Sequence, residues 1–358
     1  MALAEKLMYE GTVDVSEIVK FIEDSPDKDL YHIDLFLLAQ KYGYDIEELL
    51  NIFIFGVKNG VFKMEWEYHC PHCGAIAKET ATLHEAEHEN YCELCKVDFA
   101  NALDNNIEVF FSIHPNIRKL SHEYKEAFDS NIMDNINKKM MYQWKDKNTI
   151  SGINIIQNNL FRELMGDEVL QPDQSLEIMN STILFTDIKS STEMYTRLGD
   201  AVAFKLVRDH FRILFRIIKE HDGVPVKTIG DAVMGVFINE QKAVSAALEI
   251  QRLINEFSNG KNNDEKIVLK IGVHTGNTII VTLNGRLDYF GNSVNTAARI
   301  QGQALPGEVV LSELLFESAQ NRAIIGKYVK KVRKQNIALK GISNELNLFH
   351  INMFEQTS

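Results

Sequence analysis

The four cysteines of this chain restrict its fold more than any other feature. They form two Cys-x-x-Cys pairs, Cys70 with Cys73 and Cys92 with Cys95, separated by 18 residues (positions 74–91). Each pair can direct two thiolates at one ion, and two pairs complete a tetrahedral shell. This spacing is typical of a zinc ribbon in a reducing compartment. We predict one structural Zn²⁺ per chain; a redox-active dithiol and an empty site are the alternatives.

Histidines near the cysteines offer further nitrogen ligands, but four thiolates already satisfy the metal. We interpret them as polar residues of a Glu-rich loop: His69, His72, His84 and His88. A closed shell of four thiolates leaves no open position for a substrate or a water molecule, so the metal is not expected to be catalytic. Its expected role is to hold together a small domain with little core of its own.

Length and charge exclude several classes of protein. A chain of 358 residues predicts more than one domain, and 45% hydrophobic with 25% charged residues is typical of a globular protein. The formal net charge of −12 repels nucleic acid phosphates, so no nucleic-acid partner is expected. The sequence lacks a signal peptide and an apolar run approaching the ~20 residues that a bilayer requires. We therefore predict a cytoplasmic protein without a membrane segment.

Three helical patterns occupy positions 13–60, where apolar residues recur about every 3.6 positions. The second and third patterns, with the alternating stretch after them, resemble a helix-turn-helix followed by a wing. The third pattern carries Asp45, Glu47 and Glu48 near its start and only Lys58 near its end. That charge is wrong for a helix that enters a DNA groove. We expect a structural or protein-contact role; a zinc-ribbon transcription regulator is the alternative.

Changes in pattern along the chain predict four segments. We assign a helix-turn-helix-like module to residues 1–68, a zinc ribbon and strand region to 69–120, and a helical connector to 121–175. Residues 176–358 form the last domain. The connector is polar and rich in Asn and Met. A signalling helix or dimerisation arm and a plain linker with two short helices are equally compatible with this composition.

The last domain alternates strands rich in Ile, Val and Phe with long helices. The pattern predicts a strand at 178–188, a helix at 200–221, a hairpin at 225–237 and a second helix at 241–257. This order predicts an α/β domain of the α+β sandwich type with a ferredoxin-like βαββαβ core. The whole chain would then combine this domain with a helical, winged-helix-like module and a zinc ribbon.

Acidic residues end two of these strands. Asp187 closes the first strand and Asp231 follows Gly230 in the hairpin turn. If the strands are neighbours, both carboxylates reach one point, where hard divalent cations such as Mg²⁺ find oxygen ligands. Two isolated aspartates at strand ends would by themselves favour a solubility role. Ser191 and Thr192, however, start a helix after the first strand, and its unpaired N–H groups can bind phosphate oxygens.

Five motifs in this region occur together and in one order: FTDIKSST, VKTIGDAVMGVF, LKIGVHTG, LDYFGNSVNTAARI and IALKGI. In these motifs the chain resembles the class III nucleotidyl cyclases, the adenylate and guanylate cyclases. The resemblance covers positions 178–351, about half of the protein. The N-terminal half is also similar to a region found ahead of bacterial cyclase domains, which suggests no known ligand.

The resemblance implies roles for individual residues of this domain. Asp187, Asp231 and the carbonyl of Ile188 look like ligands of two Mg²⁺ or Mn²⁺ ions per active site, which would activate the ribose 3′-hydroxyl for attack on the α-phosphate. Asn295 and Arg299 lie four positions apart and share a helix face. Asn295 would orient the ribose, and Arg299 would stabilise charge in the transition state.

The same resemblance implies contacts with the nucleotide. Lys340 looks like a triphosphate-binding lysine. Lys270 stands where many relatives have arginine. Lysine lacks the two parallel N–H donors of the arginine guanidinium, so its binding of the phosphates is expected to be weaker. Lys227 and Asp288 occupy the purine-contacting positions. A lysine donor and an aspartate acceptor match the N1 acceptor and N6 donor of adenine, and guanine presents the reverse pattern. The expected substrate is therefore ATP.

In this family the metal aspartates of one catalytic domain face the Asn, Arg and purine-reading residues of another. The single catalytic domain here carries both sets, which implies a head-to-tail homodimer with two equivalent sites. The leading prediction is an adenylate cyclase whose N-terminal region responds to an unknown regulatory ligand or protein. The alternatives are a cyclase for GTP or another nucleotide, and a catalytically silent nucleotide-binding module.

Overall fold

A computed structural model describes residues 2–9, 14–121, 149–329, 331–342 and 344–353. The chain divides into two compact units. The N-terminal unit comprises Met1–Ile178 and Ile280–Asp288, and the C-terminal unit comprises Met179–Ile279 and Tyr289–Ser358. Within the described ranges, no helix is both long enough and apolar enough to cross a bilayer.

Four helices open the N-terminal unit, and aspartates begin two of them. The Asp34 carboxylate accepts a hydrogen bond from Leu37 N–H, and Asp45 accepts from Glu47 and Glu48, as expected of N-cap residues. Gly43 separates these two helices with φ +77°, a left-handed value that glycine adopts without strain. The helices are α1 (Leu3–Leu7), α2 (Ser16–Asp24), α3 (Leu35–Tyr42) and α4 (Ile46–Lys58).

Two small sheets follow these helices. An antiparallel sheet has the order β2–β1–β5, and a separate hairpin pairs β3 with β4. The strand region predicted within 69–120 ends with a strand at Ile107–Ile113. The core of the unit contains the fully buried rings of Phe53, Trp66 and Phe111. The strands are β1 (Phe62–His69), β2 (Ile76–Thr80), β3 (Glu89–Cys92), β4 (Val97–Ala100) and β5 (Ile107–Ile113).

The predicted connector falls partly on described residues. Two short helices lie in its second half, α5 (Gly152–Ile156) and α6 (Asn159–Leu164), and Asn158 caps the second one by accepting a hydrogen bond from Phe161 N–H. The stretch in which the sequence allows a signalling helix, 121–141, lies outside the described residues from position 122 onward.

The C-terminal unit contains most of a large mixed sheet. Its first strand, β6, and the strand β9 each begin or end in the N-terminal unit. The strands of this sheet are β6 (Ser175–Ile188), β7 (Val224–Ile229), β8 (Ala232–Phe237), β9 (Leu269–Leu283), β10 (Arg286–Phe290), β11 (Glu308–Ser312), β12 (Lys331–Ile337) and β13 (Leu346–Asn352). The helices are α7 (Ser191–Leu198), α8 (Asp200–Glu220), α9 (Glu240–Ser258), α10 (Asn292–Gln303), α11 (Glu313–Glu317) and α12 (Ala319–Ile325).

The strand order confirms the predicted ferredoxin-like core. Along the chain the core reads β6, α8, β7, β8, α9, β9, and in the sheet these strands have the order β9–β6–β8–β7. The fourth strand of the βαββαβ unit therefore lies beside the first, followed by the third and second. Strands β11, β13 and β12 extend the sheet beyond β9, and β10 pairs with β9.

Helices cover the two faces of this sheet. On one face, α8 and α9 form the main core with alternate residues of β9, Leu269, Ile271 and Val273. On the other face, α10 packs against β11 and β13 through Ile300, which joins a smaller cluster. Gly272 of β9 permits a close approach of α10, because a Cβ at that position would lie 2.3 Å from the backbone nitrogen of Gln301.

Candidate functional site

Two aspartates lie at the adjoining ends of neighbouring strands in the C-terminal unit. Asp187 lies one residue before the end of β6, and Asp231 lies in the two-residue turn between β7 and β8. Strands β6 and β8 are antiparallel, with Thr186 opposite Val233, so the end of β6 lies beside the start of β8. Gly230 makes the tight turn possible, because its φ of +64° lies in the left-handed region.

The carboxylate of Asp231 is oriented by two donors. Its Oδ2 accepts a hydrogen bond from the backbone N–H of Ile188 at 3.0 Å, and its Oδ1 accepts from the Ser191 hydroxyl at 3.0 Å. Ser191 is the first residue of α7, and Ser190 before it takes the left-handed φ of +52°. The turn after β6 thus brings Ile188, Ser191 and Asp231 together. Thr192, the next residue, is exposed on the first turn of α7.

A lysine on β9 pairs with the other aspartate. Lys270 Nζ lies 3.2 Å from Asp187 Oδ2, and the side chains are 26% and 32% exposed. An ion pair this open to water contributes little to stability. Its position places one ammonium group beside the carboxylate of Asp187. The lysine can therefore contact a phosphate oxygen that approaches the same point.

A second set of predicted residues is centred on α10. Asn295 is exposed and Arg299 is partly buried, one helical turn apart. The Arg299 guanidinium lies against Gly341, since a Cβ on that glycine would be 3.4 Å from Nη2. Lys340, directly before this glycine, is exposed, and the buried Leu339 anchors the segment in the small cluster with Ile300. Packing of this loop therefore places Lys340 next to the Arg299 end of α10.

The two predicted purine-reading residues lie in different units. Lys227 belongs to β7 of the C-terminal unit, and its Nζ lies 5.2 Å from the centroid of the Phe290 ring, within cation–π range. Asp288 belongs to β10 and to the N-terminal unit, and it is only 7% exposed. Strand β10 follows β9 through Asn284 and Gly285, both with positive φ, as in a type I′ hairpin.

Sequence reasoning missed three contacts of the site. These are the Ser191–Asp231 hydrogen bond, the Lys270–Asp187 ion pair and the contact of Gly341 with Arg299. A serine after a strand-end aspartate was a visible signal for the first contact. The other two depend on the order of strands and on loop packing, which the local sequence does not encode.

The four cysteines form a compact cluster in the N-terminal unit. Their sulfur atoms all lie within 4.8 Å of one another, with 4.0 Å between Cys70 and Cys95 and 3.7 Å between Cys73 and Cys92. Sulfur atoms on one tetrahedral Zn²⁺ with bonds of about 2.3 Å are separated by about 3.8 Å. Among the described residues, this is the one cluster of cysteine, histidine or acidic groups with such a geometry. The donor set therefore fits a single zinc ion.

Backbone turns produce this cluster. Gly74 N–H donates to the Cys70 carbonyl at 2.8 Å and has φ +76°. In the second turn, Lys96 N–H donates to the Cys92 carbonyl at 2.8 Å, and Lys96 also has a positive φ. The Cys95 N–H points at the Cys92 sulfur, 3.4 Å away, as in a turn that stabilises a thiolate. The nearby histidines are not members of the cluster.

Family models match both halves of the chain. Residues 174–353 match the adenylate and guanylate cyclase catalytic domain, which is half of the chain, and residues 6–188 match a family of unknown function, DUF5939. With the strand order described above, these matches identify a class III nucleotidyl cyclase domain behind an uncharacterised N-terminal region. The chain belongs to the adenylate and guanylate cyclase catalytic domain family.

Curated relatives include both kinds of cyclase. An adenylate cyclase of Lachancea kluyveri is 28% identical over 59% of this chain and 12% of its own length. An adenylate cyclase of Anabaena cylindrica is 27% identical over 48% of this chain and 36% of its own length. A receptor-type guanylate cyclase of Caenorhabditis elegans is 33% identical over 37% of this chain and 13% of its own length. The chain thus spans about a third or less of these relatives.

Solved cyclase structures match the C-terminal half. An adenylyl cyclase of P. aeruginosa has 20% identity and a TM-score of 0.42, covering 51% of this chain and 98% of that one. An adenylate cyclase of Trypanosoma brucei, solved in its monomeric state, has 22% identity and a TM-score of 0.41, covering 51% and 91%. The fold assignment of this chain rests on its own strand order and on the family match.

Proposed function

We propose that this protein is an adenylate cyclase that converts ATP to 3′,5′-cyclic AMP and pyrophosphate. The observation that carries the proposal is the hydrogen bond from Ile188 N–H to the Asp231 carboxylate, which places Asp231 beside the residue after Asp187 at the adjoining ends of β6 and β8, in a domain of the cyclase family. Two carboxylates and a carbonyl are the oxygen ligands that Mg²⁺ or Mn²⁺ prefers. The donor set fits two such ions.

The proposed ions would be held by Asp187, Asp231 and the Ile188 carbonyl. When bound, they would supply activation of the ribose 3′-hydroxyl and neutralisation of phosphate charge. The protein's own contribution is positioning. Hydrogen bonds from the Ile188 N–H and the Ser191 hydroxyl fix the Asp231 carboxylate, so that little reorganisation is needed when the substrate arrives.

Cationic and polar side chains complete the proposed reaction site. Arg299 would contact the α-phosphate as negative charge grows there, and Asn295 would orient the ribose. Lys340 and Lys270 would bind the triphosphate. Thr192 would help Ser191 present the start of α7 to a phosphate oxygen. The ribose 3′-oxygen would form the new bond to the α-phosphorus and release its proton to water. The bond from the α-phosphorus to the bridging oxygen would break, and pyrophosphate would leave with that electron pair.

Discrimination between ATP and GTP is assigned to Lys227 and Asp288. In this proposal the lysine donates to N1 of adenine and the aspartate accepts from the N6 amino group. GTP would place a donor against the lysine and an acceptor against the aspartate, leaving buried polar groups unpaired. Relatives of both kinds match the chain, so substrate choice is assigned here on the chemistry of these two side chains.

Product identification tests the proposal. Purified protein is incubated with ATP, GTP, CTP and UTP together in Mg²⁺ or Mn²⁺, and cyclic products are identified by mass spectrometry. The matched control is Asp187→Asn, which keeps the shape of the side chain and removes its charge. We expect cyclic AMP to dominate and to vanish in the control.

Other outcomes would revise separate parts of the proposal. Cyclic GMP as the main product would contradict the base assignment and leave the metal chemistry intact. Nucleotide binding without any cyclic product would favour the silent-module alternative. A Lys227→Glu variant that shifts the product from cyclic AMP towards cyclic GMP would support the role of Lys227.

We also propose the assembly and the metal content of the protein. Each chain would hold one structural Zn²⁺ at Cys70, Cys73, Cys92 and Cys95, and two chains would form a head-to-tail homodimer through their cyclase domains. In that dimer the aspartates of one chain would face Asn295 and Arg299 of the other. The cytoplasmic location stays a prediction of the sequence.

A further inference from the structure

A cavity of about 750 Å³ lies in the N-terminal unit between helix α3 and strand β5. Its volume is within the ~300–1,000 Å³ range of small-molecule sites. Four of the lining residues are polar and seven are apolar. The polar lining consists of His32, Asp34, Gln40 and Thr149, and the apolar lining of Ile33, Leu35, Phe36, Leu37, Val109, Phe110 and Ile150.

The histidine of this cavity is held rigidly in a strained conformation. His32 has φ +48°, which is uncommon for a residue other than glycine. Its ring stacks on those of Tyr31 and Phe110, with centroid separations of 4.2 Å and 4.6 Å, and the backbone N–H of His32 donates to the Ser112 hydroxyl. Strained backbone persists where surrounding contacts impose it, often at binding sites. The stacked rings therefore form a preorganised wall.

Two buried carboxylates stand behind the polar lining. Glu67 Oε1 lies 3.4 Å from His32 Nδ1, and Glu108 Oε1 accepts a hydrogen bond from the Thr149 hydroxyl at 3.1 Å. Glu67 and Glu108 are 2% and 4% exposed and lie directly opposite each other on β1 and β5. Two like charges at opposed strand positions are destabilising unless cations compensate them.

Histidine side chains lie close to these two carboxylates and can compensate their charge. His69 Nε2 lies 3.3 Å from Glu67 and 3.6 Å from Glu108, and His32 faces Glu67 from the cavity side. Asp34 adds a third carboxylate at the rim. Of the described residues that line the cavity, none is a lysine or an arginine. The one formal charge among the described lining residues is therefore the carboxylate of Asp34, which favours a positively charged ligand over an anion such as a nucleotide.

We propose that this cavity binds a small organic cation, an amine with a flat apolar body. The apolar body would contact Phe36, Phe110 and the leucines of α3, and the ammonium group would lie near Asp34 and the hydroxyl of Thr149. The inference is independent of the cyclase reaction, because every residue that carries it belongs to the N-terminal unit.

A series of polar contacts leads from the cavity to the cysteine cluster. His69 Nδ1 lies 3.2 Å from the carbonyl of Gly74, in the first cysteine turn, while its other nitrogen lies near the buried carboxylates. A ligand that contacts Thr149 is therefore separated from the cysteine turn by three contacts, Thr149 with Glu108, Glu108 with His69, and His69 with Gly74. Binding is expected to stabilise the N-terminal unit as a whole.

Isothermal titration calorimetry of the full zinc-loaded chain tests the proposal with two related probes, tryptamine and indole-3-propionate. Both carry an indole, and their side chains have opposite charge. We expect tryptamine to bind and raise the melting temperature, and indole-3-propionate to bind at least tenfold more weakly. Equal binding of the two probes, or binding of neither, would overturn the proposal.

Two variants locate the bound probe. Leu37 lines the cavity from α3 and is 62% exposed, so Leu37→Lys adds a positive charge to the lining at little risk to folding. We expect it to weaken tryptamine binding tenfold or more. Asp34→Asn removes a negative charge while keeping a side chain that can cap α3, and a severalfold weakening is expected.

The matched control places the same new charge elsewhere. Leu314 on α11 is 70% exposed and lies outside the cavity lining, so Leu314→Lys should leave tryptamine binding unchanged. If Leu37→Lys and Leu314→Lys had the same effect, the probe would be responding to net charge and the assigned site would be wrong.

Discussion

The contact at Gly272 shows how a single missing side chain positions the proposed reaction site. Strand β9 and helix α10 approach so closely that a Cβ on this glycine would lie 2.3 Å from the nitrogen and 2.4 Å from the Cα of Gln301. Those atoms are backbone and cannot rotate away. Any side chain here would move α10, and with it Asn295 and Arg299, away from the sheet.

We therefore expect Gly272→Ala to destabilise the protein by about 1–3 kcal/mol, the usual cost of overpacking a core, and to reduce cyclase activity more than tenfold. Gly302 on the same helix provides the control, because a Cβ there has no atom within 4 Å. Gly302→Ala should be neutral or stabilising by up to about 1 kcal/mol, since alanine favours helix. Urea unfolding and cyclic nucleotide assays measure both variants. Equal stability of the two would contradict the packing argument.

A buried histidine makes stability depend on pH. His210 on α8 is fully buried, its Nδ1 lies 2.7 Å from the Val207 carbonyl, and burial lowers its pKa to about 4 from 6.5. The unfolded chain therefore binds a proton at a pH where the folded chain does not. This contribution to stability is complete above pH 6.5 and is lost as the pH falls towards 4. At pH 5 the loss is about 2 kcal/mol.

Replacing the ring removes this dependence. In His210→Phe the difference in unfolding free energy between pH 7 and pH 5 should be smaller than in the parent chain by about 2 kcal/mol. Urea titrations at the two pH values give the comparison. An unchanged pH dependence in His210→Phe would mean that this histidine already binds a proton in the folded protein.

At the scale of elements, the two cysteine turns are expected to act as one metal-dependent unit. With zinc bound, the four thiols should react slowly with a thiol reagent, and all four should become reactive when a strong chelator is added. Chelation should also lower the melting temperature of the N-terminal unit. Elemental analysis should give one zinc per chain and a loss of zinc in Cys95→Ser. Disulfides forming without any bound metal would instead favour the redox dithiol.

The elements of the cyclase domain could be predicted from sequence because their patterns are local. The helix predicted at 200–221 is Asp200–Glu220 in the structure, and the one at 241–257 is Glu240–Ser258. Long amphipathic stretches with alternating strands between them determine such elements strongly. Local patterns alone indicated only two aspartates at strand ends. The other candidate residues came from the resemblance to the cyclase family.

Other features depend on contacts between distant positions and were beyond local reasoning. The predicted boundary at residue 176 lies close to the division after Ile178, but the segment Ile280–Asp288 belongs with the N-terminal unit, which no composition change signals. The cavity beside α3 was also missed. It depends on the stacking of His32 against Phe110, which are far apart in the chain.

At the scale of the whole molecule, one chain carries two groups of proposed reaction residues. The first group is Asp187, Ile188, Ser191, Asp231 and Lys270, joined by the contacts described above. The second is Asn295 and Arg299 on α10 with the neighbouring Lys340. If these groups meet only across a head-to-tail dimer, each site takes one group from each chain. Two differently damaged chains can then form one intact site.

Complementation between inactive variants measures this directly. Asp187→Ala and Arg299→Ala should each be inactive alone, because every site in such a homodimer lacks one essential group. After dissociation and mixing in equal amounts, half of the dimers are mixed if association is random, and each mixed dimer has one intact site. Activity should then return to about a quarter of the parent value, since mass action sets the share of mixed dimers. A mixture that stays inactive, although mass spectrometry detects mixed dimers, would show that each site takes both groups from one chain.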